Sequence, residues 1–199
     1  MAGLTVPSKI LAAFFQSVTA RTAGFNTLDF GKMANVTLLF TILLMFFGAA
    51  SGSTAGGIKI NTLGVLFALS RSRLRGEEGT SIFRRSLSAE TVGRAISVFV
   101  LAVVLIYAAT LALTVTELGT TIHEQSRGLF LELLFEVVSA FGTVGLSVGI
   151  TSKLSALGKL ILVVVMYVGR LGPLSIAVAL SGREPRSTIQ YAEENVMIG

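Results

Sequence analysis

Apolar residues in this chain come in runs rather than in alternation, and the lengths of the runs predict the elements. Ala95–Val115 holds 21 residues without a charge, enough for one helix to cross a hydrocarbon core of ~30 Å. Ile10–Ala20 and Leu129–Ala140 are also mostly apolar but only about a dozen residues long. That falls short of the ~20 residues a crossing helix needs, so both are expected to enter the membrane and turn back. Lys32–Leu69 has the opposite problem, since a single straight helix of that length would run ~57 Å. Its middle reads Gly48-Ala49-Ala50-Ser51-Gly52-Ser53-Thr54-Ala55-Gly56-Gly57, and small residues with paired glycines are poor helix formers. Two helical halves joined by an intramembrane loop are predicted, the loop facing a polar cavity because its backbone needs partners there. A helix-packing seam of small residues is the other reading; the length argument favours the loop. Lys159–Leu180 is the last apolar run and carries Arg170 inside it.

Each short run leads into a glycine-bearing segment, Thr22-Ala23-Gly24-Phe25-Asn26 after the first and Thr143-Val144-Gly145-Leu146-Ser147 after the second. The two segments align at an offset of 121 residues, the separation of Thr22 from Thr143. Without a gap, the same offset pairs Phe14 with Phe135, Lys32 with Lys153, Met45 with Met166 and Gly48 with Gly169. This is an internal repeat of the kind found in transport proteins. Turn-like backbone at membrane depth leaves carbonyls free to replace the water around a cation, as the TVGYG segments of potassium channels do. Thr143-Val144-Gly145 shares three letters of that sequence. A half-helix aims the negative end of its dipole at the segment that follows it, which also favours a cation.

Composition agrees. The chain is 52% hydrophobic and 14% charged, with a mean hydropathy of +0.79, where a soluble domain has ~25% charged residues. An integral membrane protein is expected. The absence of cysteine excludes disulfides and thiolate metal sites. A single histidine, His123, argues against a zinc site or a His-based triad and reads as a solvated loop residue. The net charge of +5 does not point to nucleic acid, because the basic residues gather beside a span. Ser70–Arg94 holds Arg71, Arg73, Arg75, Arg84, Arg85 and Arg94 against Glu77, Glu78 and Glu90, which places that connector in the cytoplasm. Gly52–Lys59 imitates a phosphate-binding loop, but Ile58 separates Gly57 from Lys59 and no strand precedes it, so nucleotide binding is rejected. Glu132 and Glu136 stand four apart on one helix face. A structural role bonding backbone amides behind the second segment is favoured for Glu136, and Glu132 stays open between that and attracting cations. The offset sets Arg170 against Ala49, at the start of the glycine-rich loop. Under a pore reading it is a positive barrier able to bond loop carbonyls; a snorkelling arginine near a helix end is the weaker alternative, given the apolar residues on either side of it.

Thr19–Asn26, Ser51–Lys59, Phe141–Ser147 and Gly169-Arg170-Leu171-Gly172-Pro173 together resemble the C-terminal half of Trk/Ktr-type potassium uptake subunits, a family related to the plant HKT transporters. The resemblance implies an all-α integral membrane protein with a potassium-channel-like pore fold of helix–re-entrant pore helix–helix repeats. It implies a third repeat over 1–69, lacking its outer helix, a basic cytoplasmic loop over 70–94, a fourth repeat over 95–182 and a cytoplasmic tail over 183–199. Gly24 and Gly145 become filter glycines. Ser51, Gly52, Ser53, Thr54, Ala55, Gly56 and Gly57 become an intramembrane gating loop, and Arg170 becomes the basic residue facing it. The family carries four filter segments in one chain, forms dimers, and works with a cytosolic ring of nucleotide-binding regulatory subunits of the RCK type. With two filter segments here, the chain is expected to be part of a longer subunit.

The expectation is a transporter rather than an enzyme: monovalent-cation translocation across the plasma membrane, potassium preferred, with no cofactor in this chain and the potassium ion as substrate. The filter would be Thr22–Asn26 and Thr143–Ser147, the gate Ser51–Gly57 and Arg170. A secondary transporter of a small solute with broken helices is one alternative. A non-conducting assembly subunit is another.

Overall fold

The architecture is that of a computed structural model, which describes residues 5–50, 52–77, 79–82, 85–119, 121–122, 124 and 126–172. Ser51 and His123 lie outside them, as do Pro173 and the expected end of the last span and tail. Six helices follow in order: α1 (Val6–Thr19), α2 (Asn35–Phe46), α3 (Ile60–Leu74), α4 (Ala89–Leu118), α5 (Leu129–Phe141) and α6 (Ala156–Leu171). Among the described residues none between Phe46 and Ile60 is helical, and Phe47 pairs with Ile58 in a single bridge. A 3-10 turn over Phe30–Lys32 precedes α2.

Local chemistry sets these limits. Pro7 sits in the first turn of α1, where its missing N–H costs nothing. Ser88 and Ser155 accept from the amides of Thr91 and Gly158, which caps α4 and α6. Gly119 (φ 53) ends α4 and Gly128 (φ 88) leads into α5. Ser155 is also the point where α6 joins α4. Its hydroxyl donates to Glu117 Oε1 at 2.6 Å, and its amide donates to Oε2 at 3.1 Å.

The connector departs from expectation. α3 runs past Leu69 to Leu74, and a short antiparallel pair, β1 (Ser81–Ile82) with β2 (Arg85–Ser86), follows it. α4 is likewise longer than the charge-free run Ala95–Val115. Its cap at Ser88 and an Arg94–Glu90 ion pair at 2.5 Å carry helix into polar sequence. Among the described residues α4 alone is long and apolar enough to cross a membrane unaided.

The core gathers around α5. Leu133 and every residue from Phe135 to Phe141 are buried, as expected of a helix enclosed on all sides. α2, α4 and α6 pack against it. Met45, Ile58 and Phe30 complete the centre, with the Phe30 and Phe135 rings 5.6 Å apart. The outer faces of α2, α4 and α6 stay apolar: Phe40, Tyr107 and Tyr167 are exposed among many aliphatic neighbours, a surface suited to lipid rather than water. In α1 only Thr19 is buried.

Close packing of α5 on α6 depends on Gly169. A Cβ there would stand 2.0 Å from the Phe141 carbonyl oxygen, and backbone cannot swing aside as a side chain can. Gly169→Ala is expected to destabilise the fold by about 1–3 kcal/mol, read as a lower midpoint of thermal unfolding in detergent. An unchanged midpoint would show that the contact is not tight.

Candidate functional site

The two glycine-bearing segments follow directly on the C-termini of α1 and α5. Their backbones share an unusual pattern. Thr22 (φ 69) and Gly24 (φ 75) are left-handed, and so are Thr143 (φ 50) and Gly145 (φ 89), with neither Ala23 nor Val144 joining them. Positive φ in a β-branched residue is a true outlier. It is rarer still to meet it twice, at positions related by the repeat offset, and such strain gathers where function requires a backbone shape.

The segments also touch. A Cβ on Gly24 would lie 2.6 Å from the Val144 carbonyl oxygen, so only glycine fits there. A Cβ on Gly145 would meet nothing closer than Gly24 Cα at 3.7 Å, so that glycine is required by conformation alone. Thr22 Oγ1 points to the Gly142 carbonyl at 3.5 Å.

The second segment is firmly backed. Val144 and Leu146 are buried while Gly145 between them is exposed. Behind them Glu136, in α5, accepts from the Ser147 hydroxyl and from Thr151 Oγ1 at 2.8 Å. The Val148 backbone amide also faces it, so hydroxyls supply most of the partners that backbone amides were expected to supply. Glu132 is half-buried. The first segment is more open. Ala23, Phe25 and Asn26 are exposed, and its fixed point is the Thr19 hydroxyl, which donates to the Phe25 carbonyl.

Beneath lies the break between α2 and α3. Its neck is closed by backbone bonds, Gly48 N–H to Ile58 O at 2.7 Å, Ile58 N–H to Phe46 O at 3.3 Å and Ile60 N–H to Ala49 O at 3.3 Å. Gly48 has no room for a Cβ, which would stand 2.3 Å from the Gly56 carbonyl oxygen. The downstream arm of the loop meets the second segment, where the Gly56 amide donates to Thr143 Oγ1 at 3.2 Å. The Gly57 amide reaches the Gly169 carbonyl of α6 at 3.2 Å. Arg170, the next residue, donates to the Thr54 carbonyl. Ala55 and Gly56 are buried, and Gly52, Ser53 and Thr54 are exposed.

Two further cations hold this loop and were not among the expected site residues. Lys59 Nζ donates to the Ala55 carbonyl and to Ser53 O at 3.4 Å. Arg21 Nη1 donates to the Phe47 carbonyl and to Gly48 O at 3.2 Å. In sequence Lys59 ends the rejected phosphate-binding pattern and Arg21 stands within the Thr19–Asn26 motif, with no role of its own given to either. The usable signal was a basic residue beside an apolar run, placed where a helix end frees its carbonyls.

Comparison with known proteins gives a consistent picture. The family model described as "TrkH: Cation transport protein" matches residues 1–190. The chain is similar to the Ktr system potassium uptake protein B of Bacillus subtilis (strain 168), 43% identical over 196 residues that cover 98% of this chain and 42% of that protein. Protein B of the Vibrio alginolyticus Ktr system is 40% identical over 199 residues, 100% of this chain and 42% of that one. The potassium/sodium uptake protein NtpJ of Enterococcus hirae is 38% identical over 197 residues, 98% of this chain and 43% of that one. The chain thus spans well under half the length of these relatives. The crystal structure of the potassium transporter TrkH from Vibrio parahaemolyticus has a similar fold, with a TM-score of 0.69 at 22% identity over 89% of this chain and 38% of that one. With the family model covering nearly the whole chain, this protein belongs to the TrkH family of cation transport proteins.

Proposed function

We propose that this chain forms part of a membrane subunit that moves potassium across the plasma membrane through a filter of backbone carbonyls. The observation that carries this reading is the paired backbone of Thr22–Asn26 and Thr143–Ser147. Successive carbonyls of an extended strand point to opposite sides. Where the hand alternates from residue to residue, as the φ signs at Thr22 and Gly24 and at Thr143 and Gly145 do, they turn toward the same side. A row of carbonyls on one side can take the place of a cation's hydration shell. The ends of α1 and α5 add the negative poles of two helices. Three relatives are named for potassium uptake, one of them for sodium also, which supports potassium with selectivity that can relax.

In this reading each short helix is a re-entrant pore helix. Residues 1–69 form a third pore repeat without its outer helix, 95–182 form a fourth, 70–94 are a cytoplasmic loop and 183–199 a cytoplasmic tail. The start of α2 at Asn35 and of α6 at Ala156, again 121 residues apart, supports equivalent inner helices. Ser51–Gly57 is the gate, and the bonds from Gly56 to Thr143 and from Arg170 to Thr54 support a closed loop below the filter. The complete subunit is a homodimer served by a cytosolic nucleotide-binding regulatory subunit of the RCK type, with no cofactor in this chain.

Two outcomes test this in the complete reading frame that carries the chain, expressed in cells lacking potassium uptake. A left-handed backbone costs a residue with a side chain ~1–2 kcal/mol, and energies of that size change an equilibrium ratio by roughly 5–30-fold. Gly145→Ser is therefore expected to lower the potassium-to-sodium uptake ratio by about fivefold or more; an unchanged ratio refutes the filter assignment. Deletion of Ser51–Gly57 is expected to raise potassium flux, measured with a tracer cation. Flux that stays level or falls removes the loop from the gate.

A further inference from the structure

Arg21 belongs to neither the filter nor the loop as assigned above, yet it directly precedes the first filter segment and bonds the Phe47 and Gly48 carbonyls just upstream of the loop. We propose that Arg21 is a positioning residue that ties the upstream end of the loop to the stem of the first filter segment, so that loop position and filter shape are coupled. The inference rests on the filter and gate reading given above.

The bonds come first. Where α2 stops, its last carbonyls lose their helical donors. Phe46 O is taken by the Ile58 amide. The next two, of Phe47 and Gly48, both face Arg21 Nη1, the second at 3.2 Å. A cation is favoured at the negative end of a helix, and the planar guanidinium has donors to spare for two acceptors where an ammonium is a single flexible point. On its other side, the Arg21 amide is fixed to Val18 O of α1 at 2.9 Å, and the following residue is Thr22, with its left-handed backbone. The lever between loop neck and filter is therefore one residue long.

The second repeat supplies the control. At the 121-residue offset Arg21 corresponds to Gly142, Phe47 to Val168 and Gly48 to Gly169. There the inner helix continues four residues past the equivalent point, to Leu171, and Gly172 N–H still bonds Val168 O at 3.0 Å. The Gly169 carbonyl, the equivalent of that of Gly48, is met by the Gly57 amide of the loop and not by a cation. The residue in the place of Arg21 has no side chain, and a Cβ on Gly142 would lie 2.8 Å from Met45 O. The guanidinium thus occurs in the repeat whose inner helix stops at Phe46, and glycine in the repeat whose inner helix runs on past the equivalent position to Leu171.

The test uses the complete reading frame in liposomes, with Arg21→Met, Arg21→Lys, the Ser51–Gly57 deletion, and Arg21→Met combined with that deletion. Arg21→Met is expected to raise potassium flux roughly fivefold or more, within the usual range of coupling between linked sites. The potassium-to-sodium ratio is expected to fall in the same preparation, and Arg21→Lys to lie between Arg21→Met and the parent. In the deletion background Arg21→Met should add nothing to flux, since the Ser51–Gly57 segment that the tethered neck positions is gone. A merely structural defect would act in both backgrounds. A spin label on Ser53→Cys, in a chain without native cysteine, reads the loop directly and should gain mobility in Arg21→Met. If deletion alone leaves flux unchanged, the gate reading fails, and label mobility decides on Arg21 by itself: increased mobility supports the tether, unchanged mobility overturns it. If deletion raises flux but Arg21→Met does not, or raises it equally in both backgrounds, the proposal is overturned. Should Arg21→Met fail to reach the membrane, Arg21→Lys carries the test, and parental flux with parental label mobility in it overturns the proposal.

Discussion

The structure depends on what happens to the backbone groups released where α2 stops at Phe46 and helix does not resume until Ile60. In apolar surroundings each unsatisfied group costs several kcal/mol, so a break of this length persists only if its N–H and C=O groups find partners. Some find each other across the neck, where Gly48 and Ile58 bond. Others find the neighbouring repeat, through Gly56 to Thr143 and Gly57 to Gly169. The carbonyls of Phe47, Gly48, Ser53, Thr54 and Ala55 are met by Arg21, Lys59 and Arg170. Three cations therefore surround one short loop, in a family that transports cations. Carbonyl oxygen is the natural ligand of a permeating cation as well. A loop whose carbonyls are already occupied by fixed positive charge is the reverse of a binding site, which is what a barrier under a filter requires.

The same constraint explains why two repeats with one sequence pattern are built differently. α2 and α6 begin at equivalent positions, and both glycine-bearing segments place left-handed residues at Thr-x-Gly. They part at Gly48 and Gly169. In the second repeat a missing side chain lets Phe141 O press against α6, so α5 and α6 pack tightly and the helix continues. In the first, Gly48 lets the Gly56 carbonyl approach instead, and the chain folds back on itself. The same residue type at one repeat position thus serves helix packing in one case and loop closure in the other, according to which backbone comes near.

Much of this was legible in the sequence. The excess length of Lys32–Leu69 with ten small residues in its middle required a break, and the offset of 121 aligned the filter segments without structural information. What was not legible depended on contacts. Residues 70–94 read as a charged connector, but a serine cap and the Glu90–Arg94 pair extend helix into it, because hydropathy counts such residues against a span while the helix accepts them on its surface. Two-residue strands such as Ser81–Ile82 are too short for alternation to show. Arg21 and Lys59 were passed over because their partners are carbonyls, which have no letter in a sequence, whereas the carboxylate of Glu136 was noticed because its own charge announced it.

The two parts of the site are also held by different kinds of force, and this bears on which of them moves. Val144 and Leu146 are buried, each contributing about 1.5–3 kcal/mol by leaving water or lipid headgroup for the packed interior, and the Glu136 hydroxyl network stands behind them. Displacing the second filter segment would forfeit all of this together. The loop is made of Gly, Ser, Thr and Ala, with exposed residues over Gly52–Thr54, and has almost no apolar area to lose. Its restraint lies in a few hydrogen bonds, from the Gly56 and Gly57 amides to the second repeat and from long, flexible side chains to its carbonyls, of ~1.5–3 kcal/mol each where a charge takes part. Such bonds break one at a time and re-form elsewhere. Segments with few buried apolar contacts open at low local free energy. On the proposed reading, a rigid filter above a loop tethered at separate points is the arrangement in which the barrier, and not the selective element, yields first.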